Sequence, residues 1–189
     1  MVSLNTPLCN FGWKAKPFSL IGVDDQIWTL EKAKGEKGLL IMFICNHCPY
    51  VKAILPRLIN DLSKLKNYGI NSIAVSSNDV KNYPEDSFEE MKKLSSIQNF
   101  CFPYVFDESQ NIAKIYNAIC TPDFFGFNKE LKLQYRGRFD STGRGDIPPV
   151  NNKKDLYDAM KLISETQKGP KTQFSSIGCS LKWKEVNKK

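Results

Sequence analysis

The sequence holds one histidine among 189 residues, a single close pair of cysteines, and no apolar run that approaches the length of a membrane span. Each shortage narrows the field. A transmembrane helix needs roughly 20 consecutive apolar residues, so no membrane partner is expected. The first residues, "MVSLNTPLCNFGWKAKPF", lack both a basic start and an unbroken apolar stretch. They do not read as a signal peptide, and the expected location is cytoplasmic, where thiols stay reduced. Internal repeats, low-complexity blocks and interdomain linkers are absent. The excess of positive charge is also missing from most of the chain. Residues 168–189 hold six lysines and one glutamate, a net of +5, which leaves +2 for the first 167. A nucleic-acid face would want arginines and aromatics arranged over a folded surface, so no such partner is expected and the basic end reads as solvated.

Charged and apolar fractions of 25% and 41% describe an ordinary globular chain, long enough to bury a core without disulfide staples. "PFSLIGVDDQIWTLEK" reads as two short strands around a turn at Asp24-Asp25. "GLLIMFI" (38–44) is an apolar run of strand length, as a strand covered on both faces requires. Val51, Ile54, Leu55, Leu58, Ile59, Leu62 and Leu65 then mark one stripe of a long helix, with Pro56 inside it as a kink point. "GINSIAVSS" (69–77) is a second core strand, and Ser87 with Glu90 forms a capping-box pattern opening a helix through about Ile97. A strand near 103–106, a helix through "SQNIAKIYN", strands at 123–127 and 131–137, and a helix from about Asn152 to Lys168 complete the pattern. Strands alternating with helices, then a hairpin and a last helix, imply a three-layer α/β sandwich around a mixed sheet.

Cys45 and Cys48 sit where the apolar strand meets the long helix, with the only histidine, His47, between them. On a first helical turn, positions i and i+3 share a face, close enough for two sulfurs to join. A helix N-terminus also offers unsatisfied amide hydrogens and a positive dipole end, which favour a thiolate. A protonated His47 beside Cys45 would add to that bias and make the disulfide more oxidising. The chemistry needs both sulfurs within reach of a disulfide arriving from solvent. A zinc site is the main competitor, yet such knuckles usually bring a second ligand pair, and Cys101 and Cys120 lie 19 apart in different elements. No metal is assigned. Two inert buried thiols are the remaining reading.

These residues resemble the thioredoxin-like superfamily, most closely its AhpC/TSA, or peroxiredoxin-like, branch, in which an N-terminal hairpin precedes the thioredoxin core. The resemblance runs from about Pro17 to Lys168 through "FSLIGVDDQIWTLE", "CNHCPY", "CTPDFFGF" and "YRGRFD". It implies a thioredoxin-like domain over 1–168; the basic tail over 169–189 is expected to pack on it through its own apolar residues. It also implies that Cys45 is the nucleophile, Cys48 the resolving thiol, and Thr121-Pro122 a cis peptide wall presenting backbone to an extended substrate. The centre "ICNHC" departs from the usual "WCGPC". Met42 and Gly38 stand three and seven residues before Cys45, where peroxiredoxins place a threonine and a proline. The groups that polarise a peroxide are therefore missing at those positions. Arg136 and Arg138 read as solvated strand residues.

Cys120, beside the Thr-Pro pair, and Cys179, in "SSIGCSLKWK", are candidate auxiliary thiols. Ile177, Leu181 and Trp183 around Cys179 should dock on the body. The expected activity is thiol–disulfide exchange by the Cys45–Cys48 couple on protein or small-thiol disulfides. No cofactor is needed, because the electrons are held in the two cysteines. Expected partners are a disulfide-bearing substrate and an external thiol reductant, with the chain a monomer or weak dimer. The competing readings are a thiol peroxidase and a non-catalytic redox-sensing or zinc-binding module.

Overall fold

The structure is a computed structural model, and residues 2–142 and 152–185 are those described. The apolar run becomes β4 (Gly38–Phe43), every residue of which is buried. It pairs in parallel with β5 (Ile70–Ser76) and antiparallel with β8 (Asp123–Asn128). The two faces of β4 feed two cores. Leu40 and Met42 pack with Val51, Ile54, Leu58, Leu62 and Leu65 of α2 (Pro49–Leu65) and with Leu156, Met160 and Ile163 of α5 (Asp155–Thr166). Leu39, Ile41 and Phe43 face Ala113 of α4 (Asn111–Ile115) and Leu30 of α1 (Leu30–Ala33). Helices on both faces are what a continuous apolar strand demands.

Among the described residues the main sheet has seven strands. The hairpin of β2 (Ser19–Gly22) and β3 (Ile27–Thr29) forms one edge, and β6 (Tyr104–Phe106) joins it to β5. Beyond β8 comes β9 (Leu133–Tyr135), giving the order β3-β2-β6-β5-β4-β8-β9. Two parallel pairings among antiparallel ones make it the mixed sheet the sequence implies, in a thioredoxin-like three-layer sandwich. No helix among the described residues is long and apolar enough to cross a membrane.

Several local expectations change. The long helix runs through Pro56 but begins at Pro49, the residue type best suited to a first helical position. Cys45 therefore lies ahead of the helix and Cys48 is its N-cap, so the pair does not share a first turn. The helix α3 (Phe88–Ile97) starts where the capping box predicts, yet the Ser87 side chain makes no cap bond; its carbonyl accepts Met91 N at 2.9 Å instead. Arg136 is not solvated. It is buried against Asp123 at 2.8 Å, and its guanidinium lies 4.4 Å from the Phe125 ring centroid. Arg138 pairs with Asp155 at 2.7 Å.

A second, three-stranded sheet escapes the periodicity of the sequence altogether. Its strands are β1 (Ser3–Asn5), β7 (Cys120–Thr121) and β10 (Ile177–Ser180), in the order β1-β10-β7. Strands this short show no readable alternation. The basic end is thus not solvated throughout: Ser176, Cys179, Leu181 and Lys182 are buried. Of the apolar residues expected to dock there, only Leu181 does; Ile177 and Trp183 each remain 42% exposed.

Candidate active site

Where β4 ends, the chain turns through residues 44–48 before α2 takes over. A buried carboxylate sets the shape of that turn. Asp86, at the end of a 3-10 turn over Pro84–Asp86, accepts Asn46 N at 2.8 Å and His47 N at 3.1 Å on one oxygen. Its other oxygen takes His47 Nδ1 at 2.6 Å and Asn78 Nδ2 at 2.8 Å. Asn46 is held further by Glu85 O at 2.9 Å and by the Tyr104 hydroxyl at 3.0 Å. A carboxylate removed from water needs donors to replace the solvent it has lost.

Both sulfurs of the pair converge on Thr121. Cys45 Sγ lies 3.3 Å from Thr121 Oγ1, and Cys48 Sγ lies 3.0 Å from Thr121 O. The Thr121-Pro122 peptide is cis, as the resemblance implied. All six cysteines are thiols, with no disulfide bond. Cys45 and Cys48 hydrogen-bond to each other, and the charge of the pair settles on Cys48. Its value falls from 9.0 to about 5, chiefly because the Cys45 thiol donates to it, with the Thr121 hydroxyl, the Val51 amide and the Cys179 thiol adding to the effect against the opposing cost of burial. The Thr121 carbonyl can accept from the neutral Cys48 thiol but not help the anion, so these donors must outweigh it. Cys45 moves the other way, well above 9.0, because it keeps the proton it donates to Cys48, because it is buried, and because the Asp86 charge is close.

The direction of the shifts leaves the shared proton on Cys45, and its first cause is the hydrogen bond between the two thiols rather than the helix N-terminus. One expectation is corrected: solvent does not reach the pair, Cys45 being 1% and Cys48 0% exposed.

His47 does not complete a relay of thiol, imidazole and carboxylate. In such a relay the thiol and the acid occupy opposite ring nitrogens. Here Cys45 Sγ, at 4.0 Å, and Asp86 Oδ2, at 2.6 Å, both face Nδ1. The ring stacks on Tyr83 with centroids 5.5 Å apart, and Nε2 has no partner among the described residues. Cys45 Sγ, His47 Nδ1 and an Asp86 oxygen lie within 4.8 Å of one another, the one three-ligand metal candidate among the described residues. The nitrogen a cation would need is the one Asp86 already holds. A cleft of about 550 Å³ opens beside Asn46 and His47, with Glu85, Leu94 and the exposed Ile97 among its walls.

Cys120 is fully buried, 3.7 Å from Pro122 O, and burial pushes its thiol up. Cys179 is buried in hydrogen-bond contact with Cys48, and its thiol is pushed up to about 11, first by burial and then by that contact. Asp86 is the site residue that sequence reading missed. "YPEDS" offers two adjacent acids, and nothing local tells which one turns inward.

Residues 11–136 match the model of the AhpC/TSA family. This chain belongs to that family. No curated protein matches the AhpC/TSA chain in sequence. Among solved structures it is similar to an uncharacterized conserved protein from Geobacillus kaustophilus, at 39% identity over 98% of each chain with a TM-score of 0.92. A hypothetical protein from Sinorhizobium meliloti 1021 is 33% identical over 96% of this chain and 99% of its own, with a TM-score of 0.87. The thioredoxin domain of a thiol-disulfide oxidoreductase from Bacteroides vulgatus, at 19% identity over 67% of this chain and 86% of its own, shares the fold with a TM-score of 0.57. Family and fold together support thiol redox function for this AhpC/TSA chain, as an oxidoreductase.

Proposed function

We propose that this AhpC/TSA chain is a thiol–disulfide oxidoreductase whose Cys45–Cys48 couple exchanges with disulfides of proteins or small thiols. The observation that supports it best is the contact between the two sulfurs at the N-terminus of α2, opposite cis Pro122. In the reduced form Cys48 holds the negative charge and Cys45 the proton. Because the pair is buried, β10 must first move aside; Cys45 then attacks a substrate disulfide, its proton passes to Cys48, one substrate sulfur bonds to Cys45, and the other leaves as thiolate. That thiolate takes the proton back from Cys48, which then attacks Cys45, releasing the second substrate sulfur and closing the Cys45–Cys48 bond. An external thiol reductant returns the couple to its starting state. The electrons stay on sulfur throughout, so no cofactor takes part.

Reduction of insulin by the protein in the presence of dithiothreitol tests the activity. Cys45→Ser should abolish it, and Cys48→Ser should accumulate mixed disulfides on Cys45. Trapping by Cys45→Ser alone would exchange the two roles, and full activity of both variants would defeat the assignment. Family membership keeps thiol peroxidase as a second reading, although the charges that bear on Cys45, those of Asp86 and Cys48, are negative and disfavour its thiolate. Consumption of hydrogen peroxide without insulin reduction would favour it, and stoichiometric zinc in the purified protein would favour a metal-binding module.

A further inference from the structure

The backbone edge immediately before Pro122 is already occupied. Across β7, Cys179 stands opposite Thr121 and Ser180 opposite Cys120, and Leu181 N donates to Ile119 O at 3.0 Å. This is the geometry by which an added peptide strand joins a sheet, and the strand that fills it belongs to the chain itself. Its far edge is closed by β1, with Ser180 N donating to Val2 O and Thr6 N to Ser176 O, both at 2.9 Å. Gly178 permits the fit, since a β-carbon there would run into the Thr121 carbonyl oxygen. The register places Cys179 opposite Thr121, and its thiol hydrogen-bonds Cys48, whose sulfur is thus in contact with two thiols, Cys45 and Cys179. Beyond the strand, Asn78 bonds Lys182 N at 2.9 Å with its oxygen while its nitrogen holds Asp86, so the docked segment is tied to the residue that shapes the cysteine turn.

We propose that Ile177–Ser180 is an internal client: it fills the edge an extended external peptide would use, and its Cys179 exchanges with the Cys45–Cys48 disulfide to form a Cys48–Cys179 bond. The inference rests on the reading of the pair as a redox couple and adds its first partner. The step begins with the oxidised couple, made by an external disulfide. Cys179 loses its proton and attacks Cys48 Sγ; the Cys48–Cys179 bond forms as the Cys45–Cys48 bond breaks, and the electron pair leaves on Cys45, which takes the proton. There is no net oxidation. The product fastens β10 covalently over the edge and returns Cys45 to the thiol form. An external protein must displace β10 before it can pair beside Pro122.

Tryptic peptides make the outcome legible, because Cys45 and Cys48 share residues 38–52 while Cys179 lies in residues 172–182. The reduced full chain is treated with oxidised glutathione, quenched in acid, alkylated, digested and analysed by mass spectrometry. The wild type should yield both the 45–48 loop and a cross-link joining 38–52 to 172–182. Cys45→Ser should still give the cross-link, assigning it to Cys48, and Cys179→Ser should give the loop alone. Gly178→Val, which alters no thiol, should lower the cross-link about tenfold, the factor an overpacking cost of this kind carries, and should leave the loop. A loop in the wild type, with no cross-link there or in Cys45→Ser, would overturn the inference while leaving the redox couple standing. Absence of both products would overturn the couple as well.

Discussion

Placing the charge of the pair on Cys48 makes the stability of the reduced protein depend on pH in a calculable way. In the unfolded chain a cysteine keeps its proton up to about pH 9, whereas in the folded chain Cys48 gives it up at about 5. Between those values the unfolded state binds more protons, so stability rises with pH by up to about 1.4 kcal/mol per unit. By pH 7 the gain is about 3 kcal/mol, and it disappears as the pH falls through the folded value. At about pH 9 the rise ends, because the unfolded Cys48 then loses its proton too; above it stability falls, since Cys45, raised well above 9.0, contributes with the opposite sign. Urea denaturation of the wild type and Cys48→Ser, both under a non-thiol reductant, isolates the effect. The stability gap between them should widen by about 2 kcal/mol from pH 5 to pH 7, on the order of 1 M in urea midpoint. Ultraviolet thiolate absorbance should show a midpoint close to 5 in the wild type and none there in Cys48→Ser. A gap that does not change with pH, or a single midpoint near 9, would refute the placement of the charge. An acidic midpoint lost only in Cys45→Ser would move the charge to Cys45.

Two further substitutions examine the scaffold around the couple. Arg136→Met strands the buried Asp123 carboxylate, whose own value burial already raises. It should cost about 3–5 kcal/mol, lowering the melting temperature on the order of 10 °C, and pairing it with Asp123→Asn should restore much of the loss; a melt unchanged in the single variant would mean that the ion pair contributes nothing. Asp86→Asn replaces a carboxylate that accepts four donors with an amide that must turn its own donors toward some of them, at about 2–3 kcal/mol in stability. Because the Asp86 charge helps raise Cys45, the variant's alkylation at Cys45 should begin at lower pH, and an unchanged profile would show that the charge does not act there.

The legible parts of this protein are those where one short segment contains its own reason. "GLLIMFI" had to be a strand covered on both faces, since nothing polar in it could meet water. The stripe from Val51 to Leu65 had to be a helix. The spacing of Cys45 and Cys48 brings two sulfurs together at that junction whichever residue starts the helix. The placement of Thr121-Pro122 against the pair followed from the resemblance, and the fold delivers it.

What the sequence could not contain are partnerships between distant segments. Asp86 reaches back 40 residues to hold Asn46, and no pattern in "YPEDS" announces that the second acid turns inward. Arg136 reads as polar on a half-exposed strand until the fold closes Asp123 and Phe125 around it. The strand at Ile177–Ser180 has too few residues for periodicity and gains its form only from β1 and β7 on either side. The ionisation of the couple belongs to the same class. Sequence determined that two thiols would meet at a helix start; the fold decided, through the cap position of Cys48, the charge of Asp86 and the thiol of Cys179, which of them holds the proton and what covers them. Local patterns report a segment's own burial and backbone preference, whereas electrostatics and edge pairing depend on groups that only the folded chain brings within a few ångströms.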